Sequence, residues 1–139
     1  MVLWVRRGLG LALLIAALGV VAYSGLNRVF AYNESFTVAA SADSVADVDR
    51  VVERALFNNA RVEVLGHTGT LGDAAANTEL SQQRADAFAD QLRAALPKDW
   101  PVSARGLGSA QPLDRLTDES DRAFQRRLAR VEVRLSPKA

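Results

Sequence analysis

The sequence predicts an α+β domain, one sheet with helices on one face, behind a single N-terminal transmembrane helix. Three observations predict it. Residues 8–26 read G-L-G-L-A-L-L-I-A-A-L-G-V-V-A-Y-S-G-L without a charge. Two stretches alternate polar and apolar residues as half-buried strands do, Arg61–Leu65 and Arg130–Leu135. Between them Leu80, Phe88, Leu92 and Leu96 recur at steps of four and eight, the spacing of an amphipathic helix.

Residues 8–26 rise about 28 Å as a helix, enough for a hydrocarbon core. Arg6 and Arg7 precede them, and Tyr23, Phe30 and Tyr32 cluster at the far end, where aromatic rings suit a membrane interface. The positive-inside rule places residues 1–7 in the cytoplasm and the remainder across a bacterial inner membrane, in the periplasm. The competing reading is a cleaved signal peptide, because Ala22-Tyr23-Ser24 and Val29-Phe30-Ala31 offer small residues at cleavage spacing. Gly8, Ala12 and Ala16 form a small-residue stripe that suits contact with another membrane subunit, or is ordinary small-residue content.

Residues 27–35 are the linker and span at most roughly 30 Å when stretched. The domain occupies residues 36–135, and 136–139 are a tail. Phe36-Thr37-Val38 is the first strand. A helix follows from a cap at Ser41 or Ser44, with Val45, Val48, Val52, Ala55 and Leu56 on one face and a stop at Asn58-Asn59. The second strand ends at Gly66, and a loop rich in Gly, Thr, Asp and Asn leads into the second helix. Pro97 and Pro101 bracket a turn before a third strand at 102–105. Charged residues 117–127 form a short helix from a Thr or Asp cap. The last strand, 130–135, turns its charged residues to solvent and Val131, Val133 and Leu135 to the helices.

Composition narrows the function. Lys and Arg number 17 against 16 Asp and Glu, so no basic field draws nucleic acid. There is no cysteine and one histidine, His67, which leaves no thiolate or multi-histidine metal site and implies no cofactor. His67 with Asp73, or with Ser81, lacks a positioned third partner, so the chain reads as non-enzymatic. An acidic residue inside the membrane span, which ion-driven work needs, is missing from 8–26.

Arg84 stands out. It falls on the row of Leu80, Phe88 and Leu92, on the apolar face in the helix's first turn, leaning back toward the loop. Two readings are open: an arginine that snorkels along the core edge and caps a loop carbonyl, or a guanidinium fork that receives a carboxylate.

Gly66-His67-Thr68, Gly72, Asn77-x-x-Leu80-Ser81-x-x-Arg84-Ala85, Ala104-Arg105-Gly106-x-Gly108-x-x-x-Pro112 and Arg130-Val131-Glu132-Val133 resemble the OmpA-like (OmpA C-terminal, MotB/Pal-type) domain. The resemblance covers residues 36–135. It implies a βαβαβ(α)β sandwich that binds peptidoglycan non-covalently through the diaminopimelate of the stem peptide. It carries a ligand site onto Thr68, Gly69, Asp73, Asn77, Leu80 and Arg84. The family's aspartate, which meets the ligand ammonium, stands here as Gly69, with Asp73 as the substitute in the same loop. The family's Asn-Arg-Arg before the last strand is here Leu128-Ala129-Arg130, with Gln125-Arg126-Arg127 three residues earlier. Two functions follow: an inner-membrane-anchored envelope protein that associates weakly with peptidoglycan, or an accessory subunit of a larger membrane complex that has lost the ligand. The first implies an Arg84 reachable from solvent, the second an Arg84 that is buried or paired internally.

Overall fold

A computed structural model of the chain describes residues 33–39 and 45–138. The expected span 8–26, its flanks and stripe, most of the linker, and the caps Ser41 and Ser44 lie outside the described residues. Among the described residues no helix is long and apolar enough to cross a membrane.

The elements are β1 (Glu34–Ala39), α1 (Val45–Phe57), β2 (Ala60–Gly66), α2 (Ala74–Ala95), β3 (Val102–Gly106), α3 (Asp121–Leu128) and β4 (Arg130–Pro137). Their order is the one expected. The sheet runs β1-β4-β2-β3. β4 inserts antiparallel between β1 and β2, while β2 and β3 are parallel neighbours joined through α2, as a parallel pair requires.

Register puts one set of alternate residues on one face. Val62 lies opposite both Leu135 and Val102, Val64 opposite Val133 and Ala104, and Val38 opposite Val131. These pack with Val48, Val51 and Ala55 of α1 and with Ala85, Phe88, Ala89 and Leu92 of α2 in a single core. Fully burying each such Val, Leu or Phe side chain contributes about 1.5–3 kcal/mol before ordering entropy is subtracted.

The helical faces are narrower than the sequence implies. Advancing about 100° per residue, α1 turns Val48, Val51 and Ala55 inward. Val45 and Leu56 lie off that stripe and are 72% and 44% exposed, and Phe57 points the opposite way at 85%. In α2 the buried stripe is Ser81, Ala85, Phe88, Ala89 and Leu92. Leu80 lies off it and is 40% exposed, which corrects its place on the core row.

Element ends have local causes. Asn59 takes a left-handed φ of 48°, and its neighbour Asn58 returns its side-chain amide to the Arg54 carbonyl at 3.0 Å, closing α1 as expected. α2 begins earlier than its apolar spacing implies: Asp73 caps it, its carboxylate accepting from the Ala76 N–H at 2.8 Å. Arg84 therefore sits in the third turn of α2, not the first. α3 starts from a Ser120 cap instead of a Thr or Asp, because Asp118 is held at a φ of 60° in the turn before it. The segment leading to α3 is tied by charge: Arg127 donates through Nε and Nη2 to both Glu119 oxygens at 2.9 Å, and these bonds hold the Glu119 carboxyl down at about 2.

The tightest packing joins α2 to the sheet. Gly66 and Gly106 are register partners at the ends of β2 and β3. A Cβ at Gly66 would overlap the Ser81 carbonyl, and one at Gly106 would overlap the Gln82 backbone nitrogen. The same turn of α2 then bonds the strand ends. Gln82 Oε1 accepts from Gly106 N–H at 2.7 Å, and Ser81 Oγ accepts from Gly108 N–H at 2.8 Å. Backbone cannot yield as a flexible side chain does. We expect Gly66→Ala to cost about 2 kcal/mol, read as a melting temperature lower by roughly 10 °C, whereas Ser103→Ala on the exposed face leaves it within a few degrees.

Candidate functional site

The strand ends at Gly66 and Gly106 and the start of β4 form one rim, and the loop from β2 to α2 rises over it. Backbone bonds pin its base: His67 N–H donates to Arg130 O, Thr68 N–H to Gly108 O and Leu107 N–H to Gly66 O, each at 2.9 Å. Thr68 is thereby buried at 4%. Farther along, Asn77 Nδ2 donates to Leu71 O at 3.0 Å and folds the loop back onto the first turn of α2. Gly72 adopts a φ of 91° at the turn between them, a conformation that favours glycine.

The six expected site residues separate into groups. Arg84 is half-buried, and Nη1 donates to the His67 carbonyl at 3.4 Å, a long bond at the limit of useful strength. No described carboxylate lies within ion-pair distance of it. Leu80 is one turn before Arg84 and Asn77 one turn before Leu80, so the three line one edge of α2 above the loop. Asp73 is spent on the helix cap and is exposed.

Gly69 carries the most informative contact. A Cβ there would overlap Gln125 Oε1 of α3. That carboxamide spans the loop: Oε1 accepts from Thr70 N–H and Nε2 donates to Thr70 Oγ1, both at 2.9 Å. A neutral amide thus fills the room where a side chain at residue 69 would stand. The sequence places Gln125 only in the Q-R-R run ahead of the last strand and not at this loop, because 55 residues separate it from Thr70. Leu71, Arg122, Arg126 and Ala129 border a groove of about 460 Å³ beside it.

Beneath the loop lies a charged knot that the alternating pattern of β4 conceals. Arg130 is 4% exposed instead of facing solvent, which corrects the expected outward set. Its guanidinium donates to Glu132 Oε1 at 2.8 Å and to the carbonyls of Leu128 and Gln111 at 3.2 Å each. Arg134 donates to the other Glu132 oxygen at 3.2 Å. Burial pushes the Glu132 carboxyl up, but the bonds from Arg130 and Arg134 and the nearby cations outweigh it and hold the group below its ordinary value.

His67 faces this knot. Its ring is fully buried, neither ring nitrogen has a hydrogen-bond partner among the described residues, and Nε2 lies 3.7 Å from Glu132 Oε1. Burial, then the Arg130 charge, push its pKa down; Glu132 opposes and Arg134 adds to the fall. Among the described residues no three His, Asp or Glu gather to hold a metal.

A histidine kept neutral in the fold binds fewer protons than in the unfolded chain once pH drops below about 6.5, so acid favours unfolding. Folding stability should be level above pH 7 and decline from about pH 6.5 downward, in denaturant melts. Glu132 also loses its contribution with acid, but only below about pH 4.5. His67→Leu should flatten the profile between pH 7 and 5; an unchanged slope would assign it elsewhere.

Comparison with known proteins gives this geometry a context. The OmpA family matches residues 29–126. The probable lipoprotein YiaD of Escherichia coli is 28% identical over 131 residues, 94% of this chain and 58% of the lipoprotein. This chain thus spans little more than half of that relative. Among solved structures, the cell wall anchor of the type VI secretion system from Pseudomonas aeruginosa superposes with a TM-score of 0.60 at 22% identity, covering 76% of this chain and 82% of that one. The peptidoglycan-associated lipoprotein of Burkholderia pseudomallei gives 0.55 at 18%, covering 72% and 89%. At these identities the structural likeness speaks for the fold.

Proposed function

The chain belongs to the OmpA family, and on that premise we propose that it is a non-enzymatic cell-envelope protein whose domain associates weakly with peptidoglycan stem peptides. Residues 8–26 anchor it in the bacterial inner membrane, with 1–7 cytoplasmic and the domain periplasmic. The observation that carries the ligand reading is Arg84. It is half-buried, reaches only a carbonyl at 3.4 Å, and meets no described carboxylate, so its fork is available to a ligand carboxylate. Thr68, Gly69, Asn77 and Leu80 supply the wall around it. The names of the superposing proteins, a cell wall anchor and a peptidoglycan-associated lipoprotein, support the same reading.

One observation favours a second reading. Gln125 fills the room at Gly69, and Asp73 is turned to its cap at the start of α2, so no carboxylate stands at residue 69 to meet a ligand ammonium. A site that lost its anionic half binds a zwitterion more weakly, by about 2–5 kcal/mol when such a pair is close and desolvated. In this reading the domain is an accessory subunit of a larger inner-membrane complex, joined in the membrane through the Gly8/Ala12/Ala16 stripe.

Co-sedimentation of the detergent-solubilised full chain with isolated peptidoglycan distinguishes the two. We expect the native chain to sediment with the wall and Arg84→Ala to reduce the bound fraction roughly tenfold or more. Binding by Gly69→Asp combined with Gln125→Ala, without binding by the native chain, would assign the accessory role.

A further inference from the structure

We propose that the pole of the domain opposite the ligand loop is a lipid-contacting surface that seats on an anionic phospholipid bilayer through Phe57 and Leu56. The inference rests on the membrane-anchor reading above and adds to it a face, an orientation and a lipid class.

Register collects one set of chain ends at this pole. Glu34 opens β1 opposite Leu135, Ala60 opens β2 opposite Pro137, and Val62 lies opposite Val102 at the start of β3. The ligand rim, built from Gly66, Gly106 and the start of β4, is the other end of the same strands. α1 finishes beside the opening of β2, so Leu56 and Phe57 fall at the pole where the chain enters the sheet. Phe57 is 85% exposed and points away from the core, and Leu56 beside it is 44% exposed. No fold requirement places a phenylalanine there: the α1 stripe is complete with Val48, Val51 and Ala55.

The surrounding chemistry suits a phosphate layer with hydrocarbon beneath. Arg61 and Lys98 are exposed at the same pole, and Lys138 Nζ lies 3.0 Å from the centroid of the half-buried Trp100 ring, whose Nε1 donates to Ala60 O at 2.9 Å. An aromatic body with a polar edge beside lysines is the composition of an interfacial contact. Arg54 comes within 4.0 Å of Glu34, and Asp99 is also exposed there, so attraction to lipid phosphate is modest and the apolar pair supplies most of the contact. Distance makes the contact reachable. Only residues 27–32 separate the uncharged stretch from Asn33, and six residues reach at most roughly 20 Å. The same seating turns the loop of Thr68, Asn77 and Arg84 away from the bilayer, toward the wall.

The absence of cysteine makes the test direct. Full-length chain carrying Lys98→Cys or Ala110→Cys, each labelled with an environment-sensitive dye, is reconstituted in vesicles of phosphatidylethanolamine and phosphatidylglycerol containing nitroxide-labelled lipid. Ala110 is exposed beyond the end of β3, at the ligand rim. We expect the dye at residue 98 to be quenched at least about twofold more than that at 110, with Phe57→Glu removing most of the difference, as an interfacial contact of 5–10 Å depth requires. Equal quenching in a chain that floats with the vesicles overturns the proposal and leaves the anchor standing. A dye at residue 98 that is shielded without lipid quenching overturns it in favour of a protein partner or second copy. A chain that fails to float overturns the anchor and the seating together.

Discussion

The close approach of α2 to the ends of β2 and β3 is the constraint on which the rest depends. Glycines at 66 and 106 let the Ser81–Gln82 turn lie directly on the strand ends, and Ser81 and Gln82 return hydrogen bonds to Gly108 and Gly106. The helix is thereby fixed at one height against the sheet. That height determines where the loop before it begins, how Asp73 meets the first turn, and at what level Arg84 emerges. A polar loop needs such a scaffold to keep its place, because the loop itself has little to hold it.

A second, polar layer supports the loop from below. Arg130 and Glu132 are neighbours but one on β4, yet they turn toward the rim and tie carbonyls from two separate segments. Buried ion pairs contribute little net stability against apolar packing of equal volume, but losing one partner is costly. Their evident effect is geometric: they hold the segment around Gln111 and the end of α3 against the start of β4. His67 sits against this arrangement with no hydrogen bond of its own among the described residues, an exception to the rule that buried polar atoms are paired.

The loop keeps its order without a carboxylate at residue 69. Glycine at residue 69 leaves room for the Gln125 carboxamide of α3, which bonds Thr70 twice. These bonds tie the loop to α3 through a neutral group. Arg84 reaches only the His67 carbonyl and meets no described carboxylate.

Element order, the two alternating strands and the Asn58–Asn59 stop were legible from the sequence, because each depends on neighbours within a turn or a strand. The motif residues Gly66, Ser81, Arg84 and Gly106 were legible as a pattern, although their spacing could not say which of them meet the sheet and which the loop. Strand order was not legible: β4 enters between β1 and β2, a pairing across some 70 to 100 residues that no local pattern encodes. The helical faces are narrower in the fold than in the sequence, since a stripe of three or four positions is set by what it packs against, leaving Leu80, Val45 and Leu56 outside. The burial of Arg130, the cap at Asp73 and the Gln125 clamp were likewise decided in three dimensions. Sequence alone determined that this is an OmpA-like α+β chain with an arginine over a glycine-rich loop. The tertiary structure decided what that arginine and that glycine meet, because polar partners are chosen by distance in space and leave no period in the chain.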